Sequence, residues 1–360
     1  MGATYGKIFK ITIFGESHSE SIGIVLDGVP SGIELDFEEI KSEMGRRAPG
    51  KNAFSTPRCE DDLPEIQSGI FNGKTCGTPI CAIIKNTNTR SKDYEPDVLR
   101  PSHADLTGII RYDGFNDYRG GGHFSGRLTA PLVFAGAIAK QILKNEDIEI
   151  FAHIKNIGKV YDDGIDAVTP DINALRELKK ETLPLIDKSK EKEIEKEILS
   201  AKENKDSVGG SIETVICGLG AGLGSPFFDS VESRISQMLF SVPAVKAVEF
   251  GVGKAFSEMN GSNANDEFCI KDGVIKTRTN NNGGINGGIT NGMPVLVTAT
   301  IKPTPSIAME QNTVNISEMK EIKHTINGRH DPCIVQRAVP VIESALAIAV
   351  LDMVLEEKTY

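Results

Sequence analysis

The 360-residue sequence predicts an α+β fold built in layers. Short runs rich in Val, Ile and Thr, bounded by Gly, Pro or Asn, indicate strands, and longer runs with helical patterns indicate helices. Strands and helices follow one another without the strict strand–helix–strand alternation that builds a parallel sheet. An α+β arrangement is therefore favoured over a doubly wound one.

The elements are predicted in chain order from these patterns. Strands are expected at residues 8–14, 23–26, 79–85, 148–154, 211–217, 244–250 and 295–301, and helices at 36–46, 129–143, 188–204, 229–240 and 341–357. Asn72-Gly73 between two apolar runs predicts a hairpin turn. The helix at 188–204 alternates Lys and Glu, which is typical of a solvated helix. Residues 341–353 are apolar on almost every face, which predicts a core or subunit-interface helix, since a membrane span would be longer.

Composition limits the classes of function. Hydrophobic residues make up 39% and charged residues 25%, as in an ordinary soluble globular protein. The net charge of −10 argues against nucleic-acid and anionic-membrane binding. The cysteines are scattered, and neither a targeting segment nor a membrane span is recognisable, so we expect a cytoplasmic protein. No spacing of ligand residues indicates a metal site.

The most informative stretch carries Arg-Pro-Ser-His-Ala-Asp at residues 100–105 and Arg-Gly-Gly-Gly-His-Phe-Ser-Gly-Arg at residues 119–127. A triple glycine lets the backbone approach a ligand closely and take positive φ, with N–H groups pointing at an anion. The alanine-rich segment that follows predicts a helix, so the glycines are expected to lead into a helix N-terminus that attracts phosphate. The stretch therefore predicts an anion site.

Two further motifs are Phe-Gly-Glu-Ser-His-Ser at residues 14–19 and Gly-Arg-His-Asp-Pro-Cys-Ile-Val-Gln-Arg-Ala-Val-Pro at residues 328–340. Together with the central stretch they resemble the signature segments of the chorismate synthase family, and other segments match in the family's order over nearly the whole chain. The resemblance implies one large domain over residues 1–360, with helices layered between antiparallel sheets, and a homotetramer.

The resemblance also implies an enzyme, a carbon–oxygen lyase that ends the shikimate pathway of aromatic amino-acid biosynthesis. The implied reaction is the anti-1,4-elimination of phosphate from 5-enolpyruvylshikimate-3-phosphate, which gives chorismate. It uses reduced FMN (FMNH2) without net redox change, with NADPH as an implied reductant. A reduced flavin can donate electron density and take it back, while the protein orients the reactants and balances their charge.

Site residues carry over from the matching motif positions. The resemblance implies His18 as the acid that assists phosphate departure, His103 as the acid that protonates the flavin near N1, and Asp331 as a proton acceptor near N5. Arginine binds phosphate and carboxylate bidentately, and the implied substrate-binding set is Arg46, Arg47, Arg100, Arg127 and Arg337. The implied cofactor-binding set is Arg47, His123, Phe124, Ser125, Ala244, Gly287, Lys302, Pro303, Thr304, Pro305, Ser306 and Arg329.

The sequence departs from the family pattern in four places. Ser19 replaces a glycine, Ala53 replaces an arginine, and Pro243 replaces an asparagine. In the fourth place, His123 and Leu128 stand where the family has Arg and Glu. We expect the elimination to survive these changes with altered flavin affinity or reduction, which favours an external flavin reductase as a partner.

Two other classes of function stay open at this point. An FMN-dependent oxidoreductase would bind the same cofactor but consume NADPH continuously. A noncatalytic glycine-rich assembly protein would bind no flavin and would lose nothing on replacement of His103.

Overall fold

The computed structural model describes residues 2–50, 62–87, 94–326 and 331–359. Within these ranges the strands are β1 (Thr4–Tyr5), β2 (Lys10–Gly15), β3 (Ser21–Asp27), β4 (Glu65–Ser68), β5 (Ile70–Phe71), β6 (Lys74–Thr75), β7 (Ile80–Lys85), β8 (Glu149–Ile157), β9 (Val160–Tyr161), β10 (Gly210–Cys217), β11 (Ala221–Gly224), β12 (Val245–Phe250), β13 (Phe268–Lys271), β14 (Val274–Thr277), β15 (Ile285–Asn286), β16 (Ile289–Asn291), β17 (Val295–Ile301), β18 (Gln311–Asn315) and β19 (Lys320–His324). The α-helices are α1 (Phe37–Arg47), α2 (Asp105–Arg111), α3 (Thr129–Lys144), α4 (Ile172–Leu178), α5 (Glu191–Glu203), α6 (Val231–Ser241), α7 (Gly261–Ala264) and α8 (Val335–Glu357).

Two antiparallel sheets flank a layer of helices. One sheet has the strand order β1-β2-β3-β7-β4 and the other has β12-β17-β10-β8-β9. Helix α3 packs against strands of the first sheet, α8 packs against β8 and β10 of the second, and the two helices pack on each other. The predicted α+β fold with helices between antiparallel sheets is confirmed.

The two central helices are apolar because both lie between sheets. Nearly every residue of α3 is buried, and so is α8 from Val339 to Met353. Gly136 allows their close approach, since a Cβ atom there would lie 2.1 Å from the Cβ of Ser344. By length and hydropathy α8 could cross a membrane, but 83% of its apolar window is buried inside the fold. The prediction that it is a core helix is confirmed.

The predicted elements are present, and two differ in detail. Helix α8 begins at Val335 rather than after Pro340, which lies inside the helix. Helix α5 buries Ile194 and Ile198 in the main core, so its predicted solvated face is only one side of an amphipathic helix. Asn72 and Gly73 take φ of 49° and 76° between β5 and β6, which confirms the hairpin turn.

The start of the described chain is fastened to the last helix by a buried carboxylate. Asp352 accepts hydrogen bonds from the backbone N–H groups of Lys7, Ile8 and Phe9 at 2.7–3.0 Å. Its second partner is Arg234 of α6 at 2.5 Å. This anchor fixes residues 2–5, which form one wall of the cleft described next.

Candidate active site

A cleft of about 800 Å³ opens beside the glycine-rich stretch. Its walls come from residues 2–5, the end of α1, segments 102–104, 123–129, 241–246 and 302–306, and the start of α8. The predicted site residues that line it are Arg47, His103, His123, Phe124, Ser125, Arg127, Ala244, Lys302, Thr304, Pro305, Ser306, Asp331 and Arg337. Residues from distant parts of the sequence therefore converge on one cavity.

The triple glycine (Gly120–Gly122, the glycine arc) separates two histidines. Its residues take φ of 61°, 85° and 53°, which side-chain-bearing residues adopt at a cost. A Cβ on Gly120 would lie 2.5 Å from the ring of His18, and one on Gly121 would lie 2.9 Å from Cε1 of His103. Glycine is needed here because both imidazoles pack directly on the backbone.

The arc does not lead straight into α3. A turn of 3₁₀-helix at Gly126–Leu128 intervenes, and α3 begins at Thr129. The carbonyl of Gly126 accepts hydrogen bonds from Arg47 Nη2 at 2.9 Å and Thr129 Oγ1 at 2.7 Å. The predicted helix after the glycines is present, but it is separated from them by this turn, and their closest contacts are with His18 and His103.

His103 is held by a carboxylate that sequence reasoning missed. Its Nδ1 lies 2.8 Å from Asp105 Oδ1 and 3.0 Å from Arg100 Nη2. Arg100 grips the same carboxylate twice, with Nε 2.9 Å from Oδ2 and Nη2 2.6 Å from Oδ1. Burial raises the pKa of Asp105, but the hydrogen bonds from His103 and Arg100 outweigh burial and hold it well below its usual range.

Arg100 therefore faces Asp105 rather than the cleft. Its guanidinium carbon lies 5.4 Å from the ring centroid of Tyr94, and the residue borders a separate cavity of about 40 Å³. His18 also stands outside the cleft lining, with its ring edge-on to Tyr94 at 5.3 Å between centroids. Tyr94 thus supports both the histidine and the arginine behind the arc.

Three arginines form a cluster at one end of the cleft: Arg47, Arg127 and Arg337. The buried carboxylate of Asp62 bridges the first two, with Arg47 Nη1 at 2.6 Å from Oδ2 and Arg127 Nη1 on Oδ1. Asp331 pairs with Arg337 at 2.5 Å. Because three guanidinium groups meet two carboxylates, this arginine cluster carries an excess positive charge.

The charges in the cluster shift one another's pKa values. Burial lowers the pKa of Arg47 to about 10, with Arg337 and Arg127 acting in the same direction and Asp62 against it. Burial raises the pKa of Asp62, but the charges of Arg47 and Arg127 outweigh it and the net pKa is lowered. A further anion entering the cluster would relieve the repulsion among the arginines.

Lys302 also lines the cleft. Its Nζ donates to the carbonyl of Ser102 at 2.8 Å, and its backbone N–H donates to the carbonyl of Ala244 at 2.9 Å. Burial, and secondarily the charge of Lys246, lowers the pKa of Lys302. Both carbonyls belong to residues with left-handed backbone, Ser102 with φ of 58° and Ala244 with φ of 74°. At this wall Lys302 therefore binds the carbonyl groups of two residues that have a strained backbone conformation.

The segment after the arc is fixed by short contacts. His123 Nδ1 lies 2.9 Å from the carbonyl of Gly15, so Nε2 remains for a ligand. The ring of Phe124 packs on Gly108, where a Cβ would lie 2.8 Å away. Ser125 accepts a hydrogen bond from the backbone N–H of Arg127 at 3.2 Å.

Some predicted residues lie elsewhere. Arg46 turns into a buried ion-pair cluster with Glu43 at 3.0 Å and Glu343 at 2.6 Å, where Lys140 is a second cation. Gly287 lies in the β15–β16 hairpin away from the cleft, and Pro303 packs against Gly209. Arg329 lies outside the described residues, as does the departure at Ala53.

Two of the family departures have visible local effects. The Ser19 hydroxyl accepts from the N–H of Glu16 at 3.1 Å and lies 2.7 Å from the carbonyl of Ser21, which fastens the turn that carries His18. Pro243 has a fixed φ and offers no N–H, and it directly precedes Ala244, whose φ is 74°. Among the described residues, no group of three or more His, Cys, Asp or Glu side chains could hold a metal ion.

Sequence reasoning missed Asp62, Asn86, Asp105 and Lys246. Asn86 accepts from Arg127 Nε at 3.0 Å, and Lys246 lines the cleft. The position of Asp105 two residues after His103 was a usable signal, because a carboxylate at that spacing can reach the same ring. The other three carry no local signal, since their partners come from remote segments.

A cationic cleft with histidines and clustered arginines is typical of enzymes that act on small phosphorylated or carboxylated acids. The family model described as chorismate synthase matches residues 9–355 of this chain. A chorismate synthase of Dehalococcoides mccartyi is 45% identical over 358 residues, which cover 99% of this chain and 97% of that protein. One from Thermococcus kodakarensis is 43% identical, covering 99% and 98% respectively.

A solved structure agrees with these relatives. A crystal structure of chorismate synthase superposes with a TM-score of 0.78 at 29% identity, covering 98% of this chain and 93% of that one. The chain therefore belongs to the chorismate synthase family, and it is an enzyme of the lyase class.

Proposed function

We propose that this protein forms chorismate from 5-enolpyruvylshikimate-3-phosphate by anti-1,4-elimination of phosphate, the last step of the shikimate pathway. The observation that carries the proposal is the cleft itself, where the arginine cluster, Lys302 and His103 converge within about 800 Å³. Its substrate would bring a phosphate and carboxylates, and the cleft offers matching cations on two sides.

The substrate would bind next to the arginine cluster. Arg47 and Arg127 share Asp62, which fixes the spacing of their guanidinium groups before a ligand arrives. Arg337 donates to Asp331 through Nη1 and to the carbonyl of Arg47 through Nε at 3.2 Å. Its Nη2 makes no hydrogen bond with the described residues, so this edge is placed to donate to an anion. Arg46 and Arg100 support the fold and His103 rather than the ligand.

The two histidines would supply protons. His18 and His103 pack on adjacent glycines of the arc, and His103 is the one of the two that lines the cleft. An imidazole changes charge near neutral pH and is suited to donate a proton to a departing phosphate or to a developing negative charge. Asp331 lines the same cleft and is the proposed proton acceptor.

The residues present fit FMN. His123, Phe124, Ser125, Ala244, Lys302 and residues 304–306 line the cleft together. The hydroxyl oxygen of Thr304 is buried and has no hydrogen-bond partner among the described residues, as expected of a group that a ligand would satisfy. Reduced FMN would supply electron density to the breaking bonds and recover it, without net redox change. Gly287 and Arg329 stay predictions for this site.

An anaerobic assay with chemically reduced FMN and 5-enolpyruvylshikimate-3-phosphate tests the proposal. Chorismate and inorganic phosphate should appear in equal amounts and over many turnovers. Oxidised FMN and a reaction without FMN serve as controls, and both should give no product. Tight substrate binding without either product would reject the elimination and favour an FMN-dependent oxidoreductase.

We further propose that the flavin arrives already reduced, from an external flavin reductase. His123 offers a titratable imidazole, and Pro243 offers no N–H, at the wall that would hold the flavin. Purified protein with FMN and NADPH should therefore oxidise NADPH slowly, and added flavin reductase should restore chorismate formation. Rapid NADPH oxidation by the protein alone would contradict this proposal.

We also propose a cytoplasmic homotetramer of single-domain subunits. Several large apolar side chains are exposed on the single chain, including Phe227 at 86%, Phe228 at 91% and Ile270 at 79%. Exposed apolar groups of this size are typical of surfaces that contact another subunit. Light scattering coupled to gel filtration should give four times the chain mass of 38.9 kDa.

A further inference from the structure

We propose that Asp105 is a positioning residue for His103, and that Arg100 acts as the clamp that holds Asp105 in place. The inference deepens the proposed function, since it rests on His103 as a proton donor in the cleft. Its experiment below includes a measurement that does not depend on catalysis.

The carboxylate of Asp105 is fixed from several directions. It belongs to the first residue of α2, and its Oδ2 accepts from the backbone N–H of Arg100 at 2.8 Å. The Arg100 guanidinium adds Nε at 2.9 Å and Nη2 at 2.6 Å. All three side chains of the motif are mostly buried, with exposed fractions of 11–15%. The carboxylate therefore has little freedom to leave the ring of His103.

The imidazole of His103 is confined on its other side by the glycine arc. Cε1 would lie 2.9 Å and Nε2 3.1 Å from a Cβ on Gly121, so the ring packs directly on that residue. The preceding residue, Ser102, has a φ of 58°, and its carbonyl accepts a hydrogen bond from Lys302. With Nδ1 committed to Asp105, Nε2 is the nitrogen that can meet a ligand in the cleft.

Asp105 also supplies a negative charge beside the ring of His103. The charged groups in contact with the ring are Asp105 and Arg100 from its own segment, and Lys302 donates to the carbonyl of the preceding residue, Ser102. The titratable ring of His18 lies across the arc. Asp105 is the anion that offsets the positive charges of Arg100 and Lys302. Removal of its charge would leave His103 facing cations alone.

Asp105→Asn tests this inference, because the amide keeps the shape of the side chain and loses its charge. We expect kcat for chorismate formation to fall about 10- to 100-fold, the loss typical of removing an orienting partner, with a smaller change in KM. The alkaline limb of the pH–rate profile should move about one pH unit towards acid. Asp171→Asn, at the exposed N-cap of α4, is the matched control and should change neither.

The independent measurement is the pH titration of the His103 ring by NMR, with its signal assigned from the His103→Asn protein. In Asp105→Asn the titration midpoint should move to lower pH, and in Asp105→Glu it should return towards the original value. An unmoved midpoint in Asp105→Asn overturns the inference whether or not the enzyme is active. If Asp105→Asn does not fold, Asp105→Glu is the deciding variant. It keeps the negative charge on a longer side chain, so the titration midpoint of His103 should stay unchanged while kcat falls. An inactive original protein with a shifted midpoint would reject the proposed function and retain the positioning role.

Discussion

Gly121→Ala is expected to lower activity much more than stability. Gly121 has φ of 85°, and an alanine in this left-handed conformation costs about 1–2 kcal/mol. Its new methyl group would lie 2.9 Å from Cε1 of His103, whereas ordinary contacts begin at 3.4 Å. The ring must therefore retreat by about 0.5 Å. Displacements of this order at a reacting group reduce rates by about 10- to 100-fold.

Gly114→Ala is the matched control for the backbone strain. Gly114 has φ of 79°, and a Cβ there would contact nothing within 4 Å. Both substitutions should lower the melting temperature by about 2–4 °C, the shift expected for a loss of about 1 kcal/mol in a protein of this size class. Only Gly121→Ala should also lower kcat.

The assay is chorismate formation at saturating reduced FMN, together with thermal unfolding of each variant. Equal kcat values for Gly121→Ala and Gly114→Ala would refute the reasoning. They would show that the contact between the arc and the His103 ring does not affect the rate. A loss of folding in Gly121→Ala but not in Gly114→Ala would mean that movement of the His103 ring cannot relieve its steric overlap with the new methyl group.

Three further predictions concern charge. Glu343→Gln should lower the free energy of unfolding by about 3–5 kcal/mol, because it leaves the charges of Arg46 and Lys140 poorly compensated in the core. Urea titration measures this, and an unchanged free energy of unfolding would contradict it. Burial raises the pKa of Glu213, but the hydrogen bond from His153 and the charge of Lys155 outweigh it and lower the pKa from 4.5 to about 2. Its stabilisation is therefore full above pH 4.5 and is lost as the pH falls towards 2, a decline that Glu213→Gln should flatten. Lys302→Met should weaken FMN binding about tenfold by fluorescence titration, whereas Lys276→Met on the exposed β14 strand should not.

The fold was predictable because its signals are local. Apolar runs and turn residues predicted the longer strands of both sheets but not β1, β4 and β9, and Asn72-Gly73 predicted the hairpin turn. The start of α8 was misplaced because Pro340 marks a helix start in most sequences, whereas here it lies within the helix. Local chemistry also singled out the arc and both histidines that pack on it.

The rest of the site depends on contacts between remote segments. Asp62 joins Arg47 and Arg127 across 15 and 65 positions of the chain, which no local pattern records. Arg46 and Arg47 are adjacent and chemically alike, yet successive helix residues point in different directions. Arg46 therefore pairs with Glu343 in the core, whereas Arg47 lines the cleft.

The position of α8 also sets a limit on when the protein can fold during synthesis. This helix separates the two sheets and supplies Glu343 and Asp352, which bind groups from α1, α3, α6 and residues 7–9. Until residues 335–357 have left the ribosome, β8 and β10 of the second sheet lack their packing against α8, and those buried cations lack their partners. The apolar faces that α8 covers are exposed in the preceding segments until then, and exposed apolar surface of this kind is prone to aggregation.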